Sequence, residues 1–375
     1  MEPVTSISGI NSMGIYLYND IKYYFFGDIH GHNLNPCDLN CDYFNYTFTE
    51  TKTYNTSCTT IGPLLFNWLK YNDVHDIKTD FYIEETYESN TIYNKFNDLI
   101  NNRFIENYDT LSTIFPYQDI SWMELMRYLL PQLNLKNVKI HPIDIRFLNH
   151  ERISPFHIQF IQPNDFKKDI INYVKILLLN YKIILKSLLS PAYNLDSLFS
   201  FIDSKLSSDL KFTFQYQLKL MNKVIVNKRH LIGDTLYQLS LQNSSMSKKI
   251  IDFILLLSDE HMNNALNDYN YYVDLFKTKM TLDEQKMTMA QFLNHYTAIF
   301  NVLAAYTMDA YVLANLFLNQ NEEVIVYTGA AHTEVYHLFF QNYLNLIPIY
   351  ESTNIDKKCV TFEQLPLYLN VNLYR

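Results

Sequence analysis

Apolar and aromatic runs of strand length punctuate the first 150 residues, and a helical period takes over for the next 150. Gly14 to Tyr18 and Ile21 to Phe26 read as two strands joined at Asn19-Asp20, a pair suited to a tight hairpin turn. The second strand leads into Gly27-Asp28-Ile29-His30-Gly31-His32. From Asn33 to Thr60 the chain is polar and shows no helical spacing, which predicts a long loop. Ile61 to Tyr71 predicts a short helix, and Lys78 to Ile83 a second core strand ending at Glu84-Glu85. Asn94 to Asn107 and Ser121 to Leu130 have the apolar spacing of helices. Val138 to Arg146 predicts a third strand, and Pro142, which cannot donate to a ladder, places it near an edge or a bulge.

Between Asn164 and Gln320 the pattern is almost continuous helix. Breaks near Ser190-Pro191, Gly233-Asp234, Asn243 to Ser247 and Thr278 to Thr281 divide it into about five segments, and Thr281-Leu282-Asp283-Glu284 is a capping box opening the last. Strands return at Glu323 to Thr328 and Leu346 to Tyr350, separated by a helix from Thr333 to Tyr343. Strands alternating with helices predict an α/β fold: a central mixed sheet flanked by helices, with a large helical insertion. The expected division is 1–160 for the first half of the α/β core, 161–298 for the helical insertion and 299–375 for the second half.

Composition narrows the function classes. A chain of 375 residues that is 48% apolar can bury a large core. The formal net charge of −9, from 30 basic and 39 acidic residues with no basic block, removes the electrostatic footprint of a general nucleic-acid binder. Abundant Tyr, Phe, Asn, Ile and Lys beside only 7 glycines match the residue usage of an AT-rich genome. Cys37, Cys41, Cys58 and Cys359 contain no Cys-x-x-Cys pair, so reduced, unpaired thiols are expected. Met1 to Ile10 lacks the basic and apolar regions of a secretory signal. Ile299 to Leu318 is the most membrane-like stretch, but Asn301, Asp309 and Asn315 suit a buried helix of a soluble protein better than a bilayer. The expectation is a soluble, intracellular protein without membrane insertion.

The chemistry concentrates at strand ends. Gly27-Asp28-Ile29-His30 follows one apolar run, and Gly329-Ala330-Ala331-His332 follows Val324-Ile325-Val326-Tyr327-Thr328. In an open α/β sheet ligands bind beyond the carboxyl ends of the strands, so a glycine-permitted turn at each end is expected to deliver both histidines to one crevice. Glu84 and Glu85 after the second strand, and Asp144 and Arg146 on the third, supply carboxylates and a cation. A carboxylate beside a histidine fixes its tautomer or shares a divalent metal, and an arginine stabilises a developing oxyanion. His141, His150 and His157 have irregular spacing and are expected to be structural. His295 is expected to hydrogen-bond within its helix, and His337, a turn and a half beyond His332, to face away from the site. No glycine-rich phosphate loop is present, which argues against nucleoside-triphosphate chemistry.

Two family resemblances follow from these motifs. Gly27-Asp28-Ile29-His30-Gly31 resembles the first motif of calcineurin-like metallophosphoesterases, and Leu148-Asn149-His150-Glu151 echoes a later one without its glycine. The Gly-Asp-x-x-Asp segment of those enzymes is missing. The order of elements is more similar to the Gly-x-x-His superfamily that includes TraB and TIKI proteins, ChaN-like proteins and erythromycin esterase-like hydrolases, and to proteins encoded by large DNA viruses. That resemblance touches residues 15–150 and 300–345. It implies a hydrolase acting on an ester, peptide or phosphoester, with a small-molecule or peptide substrate and a location in host cytoplasm or virion. It implies His30, Glu84, Glu85, Arg146 and His332 as catalytic residues, and Asp28, His30, Glu84, Asp144 and His332 as ligands to a divalent ion such as Mn, Co or Zn. Met308-Asp309 stands where the TraB and TIKI pattern has an Arg followed by an acidic or amide residue, which removes one anion-stabilising contact. The competing expectation is a non-catalytic interaction or virion-associated protein that retains the fold.

Overall fold

The computed structural model describes residues 6–28, 58–86, 135–144, 167–189, 204, 232–278, 280–318, 321–354 and 359–361. By backbone proximity the chain forms two compact units, Met1–Asp144 with Asn319–Arg375, and Ile145–Leu318. The divisions fall at 144/145 and 318/319, against 160/161 and 298/299 read from the sequence. Position 298 lies inside a single helix that runs unbroken from Leu282 to Leu318. The predicted helices 94–107 and 121–130 lie outside the described residues.

The first unit holds a six-stranded mixed sheet flanked by helices, the expected α/β architecture. Its strands are β2 (Ser12–Tyr18), β3 (Ile21–Asp28), β5 (Thr79–Thr86), β6 (Val138–Asp144), β7 (Glu323–Gly329) and β8 (Tyr350–Thr353), in the order β6-β5-β7-β3-β2-β8. β6, β5, β7 and β3 are parallel, whereas β2 pairs antiparallel with β3 and β8. Asn19 and Asp20 turn the β2–β3 hairpin at φ 51 and 63, the left-handed pair a two-residue turn requires. β6 stands at one end of the order among the described strands, and the ladder shifts register between Ile83 and Thr86, opposite Pro142 and Asp144. A second, three-stranded sheet joins β4 (Cys58–Thr60), β1 (Ser6–Ser8) and β9 (Cys359–Thr361) in the order β4-β1-β9. Strands this short leave no alternation to read, and Cys58–Thr60 is a strand within the stretch whose polarity predicts a loop.

Each sheet face has its own cover. Tyr24, Phe26, Ile83, Ile325 and Tyr327 form one core with the helix α1 (Ile61–Val74), whose Trp68 meets Tyr24 edge-on at 4.5 Å. The opposite face presents Tyr16, Tyr23 and Phe25 to α6 (Ala330–Leu338) and the π turn Phe339–Tyr343 that continues it. The sequence placed that helix from Thr333, but it begins directly at the end of β7. The strand expected at Leu346 to Tyr350 starts only at Tyr350. Asn345 is left-handed at φ 53, and Pro348 offers no donor, so pairing with β2 resumes at Ile349, whose N–H meets the Ile15 carbonyl at 2.8 Å. Cys359 is disulfide-bonded, so the expectation of reduced thiols fails at that residue.

The second unit is helical among its described residues: α2 (Lys167–Leu188), α3 (232–242), α4 (Ser244–Lys277) and α5 (Leu282–Leu318). Asn243 caps α4 by accepting the Met246 N–H, and Glu284 accepts the Thr281 N–H while the Thr281 hydroxyl accepts the Glu284 N–H, completing the predicted capping box. Val174, Leu177 and Tyr181 of α2, Ile250 and Ile254 of α4, and Phe292 and Tyr296 of α5 are buried at helical spacing. α5 is long and apolar enough to cross a membrane by length and composition, and 69% of its most apolar window is buried inside the protein, the placement of a core helix.

His337 shows how tightly α6 packs on the sheet. A Cβ added to Gly14 would sit 1.8 Å from the imidazole, so only glycine admits the ring at that point. The Tyr16 hydroxyl accepts from Gln341 Nε2 at 3.0 Å and shares a hydrogen bond with His337 Nδ1 at 2.9 Å. Burial holds the His337 pKa down to about 4 from the ordinary 6.5. Because the folded value lies below the unfolded one, the unfolded chain binds the extra proton. Stability is therefore lost as pH falls from about 6.5 to about 4, by roughly 3 kcal/mol in the limit, and the loss levels off below that. In denaturant unfolding between pH 7 and 4, His337→Gln is expected to remove this part of the slope. An unchanged slope would show that His337 carries no such penalty.

Candidate functional site

The four parallel strands end together, and polar side chains lie at or just beyond their ends: Asp28, Glu84, Asp144 and His332. Pairing of Phe26 with Tyr327 and of Asp28 with Gly329 sets Gly27-Asp28, the start of the first motif, beside Gly329, the start of the second. On the other flank of β7, Ile83 pairs with Tyr327, which brings Glu84 level with Thr328. Thr86 pairs with Asp144 on β6. Asp28, Glu84, Asp144 and His332 are all buried, at 5%, 7%, 5% and 7% exposure, an unusual density of charge for a core.

One contact organises them. Glu84 Oε2 accepts the Gly329 N–H at 2.5 Å, and Glu84 Oε1 lies 3.6 Å from His332 Nε2. Gly329 is the N-cap of α6 and His332 falls in its first turn, so the carboxylate also sits where the positive end of the helix favours it. The Thr333 hydroxyl pins the same turn through the Thr328 hydroxyl at 2.9 Å and the Phe26 carbonyl at 3.3 Å. A histidine held by a carboxylate behind one ring nitrogen keeps one tautomer and presents the other nitrogen as a base.

The glycines act differently from the expected turn-makers. Gly329 has φ −60 and ψ 147, a conformation any residue adopts. Gly27 lies within β3, where an added Cβ would come 2.1 Å from Ser12 Oγ, 3.0 Å from Ala330 Cα and 3.1 Å from Thr333 Oγ1. It serves close approach: the first motif's glycine is the surface against which the second motif's helix rests.

Sequence reasoning passed over Tyr327. Its ring is fully buried in the α1-side core, and its hydroxyl has no hydrogen-bond partner among the described residues. Burial pushes its pKa well above the ordinary tyrosine range, and the charges of Asp28 and then Glu84 push it further, so the hydroxyl stays neutral beneath the two strand ends. A tyrosine where Phe26 and Ile83 are neighbours was the available signal. Of the expected site residues, Asp28, Glu84, Asp144 and His332 reach the strand ends. His30, Arg146 and the side chain of Glu85 lie outside what is described. His141 pairs with Asp80, His295 bonds Asp268 of α4 at 3.0 Å rather than a partner in its own helix, and His337 packs over Gly14.

No three potential metal ligands come together among the described residues; Glu84 and His332 form a contacting pair, fewer than the four that a zinc ion takes. No family model, curated protein or solved structure matches the chain.

Gly27→Ala is expected to destabilise the first unit by about 1–3 kcal/mol, because the Ala330 backbone cannot yield as a side-chain tip can. Denaturant unfolding measures it, and a neutral result would contradict the close approach of the two motifs.

Proposed function

We propose that the first unit is a hydrolase of the Gly-x-x-His type, in which His332, held by Glu84, acts as general base on a water that attacks an ester, peptide or phosphoester. The observation that carries this reading is the buried Glu84–His332 contact at 3.6 Å across adjacent parallel strand ends. With Nε2–H turned toward Glu84, Nδ1 is the nitrogen that takes the proton, and the carboxylate stabilises the imidazolium that forms. The spacing is looser than a hydrogen bond, as acid–base contacts in unliganded sites often are.

A companion reading adds a divalent cation at the strand ends, beside the buried Glu84–His332 pair. Glu84 and His332 would supply one oxygen and one nitrogen ligand, and water or substrate the remainder.

The test is a screen of ester, peptide and phosphoester substrates with the full chain, followed by His332→Ala and Glu84→Gln. Each variant is expected to lose about 100-fold or more in kcat/KM while its circular dichroism and Tm stay near those of the unsubstituted chain. Chelator treatment followed by Mn, Co or Zn addition separates the metal-assisted form from the His–Glu form. Equal turnover by both variants and the parent would reject the assignment, and so would no turnover across all three substrate classes.

A further inference from the structure

A second acid–histidine pair lies on the same face of β5, four residues before Glu84. Asp80 is fully buried, with Oδ1 2.6 Å from His141 Nε2 and Oδ2 accepting from Asn321 Nδ2 at 2.5 Å. Both carboxylate oxygens are thus fixed. His141 stands opposite Tyr82 in the β5–β6 register and stacks on its ring at 4.4 Å and 11°. β6 ends the order among the described strands, and the His141 side chain keeps 16% exposure while that of Asp80 has none.

A donor for a buried aspartate does not require this much. Any amide or hydroxyl could satisfy Oδ1, yet the residue present is an imidazole whose plane is set by an aromatic stack. With Nε2–H donated to Asp80, Nδ1 carries the lone pair. A carboxylate placed behind the ring then stabilises the positive charge that appears when Nδ1 forms a new bond.

We propose that Asp80 and His141 form a nucleophilic dyad that accepts the acyl group of small activated esters. Nδ1 attacks the carbonyl carbon, an N–C bond forms, and the bond from that carbon to the ester oxygen breaks. The alcohol departs as its oxyanion and takes a proton from water. The resulting acyl-imidazolium is balanced by the Asp80 carboxylate. Water then adds to the acyl carbon, the N–C bond breaks and the carboxylic acid leaves; the proton released neutralises the hydroxide left by the alcohol's protonation, the neutral imidazole is restored, and ester and water give acid and alcohol. This centre is independent of Glu84 and His332.

The chain contains its own controls. His295 pairs with Asp268 at 3.0 Å, but both side chains are open to solvent, at 37% and 51%. His75 stacks on Tyr71 at 3.8 Å and has a backbone carbonyl, not a carboxylate, at its Nδ1.

The experiment treats the full chain with p-nitrophenyl acetate at neutral pH, follows p-nitrophenolate release, and locates and times acetylation by peptide mass spectrometry. His141 is expected to be acetylated about ten-fold or more faster than His295 and His75. Asp80→Asn is expected to slow it by at least a similar factor, and His332→Ala to leave it unchanged, which separates this proposal from the hydrolase reading. Should Asp80→Asn not fold, Asn321→Ala keeps the carboxylate but frees one oxygen, and a partial slowing is expected. Labelling of His141 at the pace of His295 and His75, or labelling indifferent to Asp80→Asn and Asn321→Ala, would overturn the proposal.

Discussion

Parallel pairing of β3 with β7, from Lys22 opposite Glu323 to Asp28 opposite Gly329, is the constraint on which the functional end of this protein depends. The strands are about three hundred residues apart in sequence, so bringing them together incurs a large loop-closure cost before any contact compensates. The compensation is visible at both ends of the ladder. Near its start, the buried Glu323 carboxylate accepts from Trp68 Nε1 at 3.1 Å and Asn72 Nδ2 at 2.8 Å, which ties α1 to β7. At its finish, Gly27 lets the start of α6 settle onto β3, and Thr333 reaches across to the Phe26 carbonyl. A slip of one residue would move Tyr327 out of the α1 core and break each of these contacts at once.

Buried charge on β7 and its neighbour β5 shows a clear division. Glu323, Asp80 and Glu84 are all buried, but they are answered differently. Glu323 accepts from Tyr24, Trp68 and Asn72, lies 4.0 Å from the Lys22 ammonium, and holds elements together. Asp80 and Glu84 each face a histidine ring. His337 marks the opposite extreme: in contact with Tyr16 but with no carboxylate, it is kept neutral by burial and contributes packing.

Much of this was legible in the residues. The β2–β3 hairpin followed from Asn19-Asp20, the end of the parallel strands from apolar runs stopping at Asp28, Glu84 and Gly329, and the start of α5 from Thr281 and Glu284. What escaped has physical reasons. The purpose of Gly27 is a contact with residues 330 and 333, which no local window contains. Gly329 reads as a turn-maker by composition although its backbone is ordinary. His141 has no helical or metal-like spacing to announce it, because its partner Asp80 belongs to a neighbouring strand. Strands as short as Ser6–Ser8 and Cys359–Thr361 leave too few residues for a period to show.

The most direct measurement is of the β3–β7 register itself, by backbone NOEs in deuterated protein labelled selectively at Phe, Tyr, Asp and Gly. The account predicts interstrand contacts linking Phe26 with Tyr327 and Asp28 with Gly329. Contacts displaced by a residue, or β3 paired with a strand other than β7 on that side, would separate the two histidine motifs and contradict the site built on them.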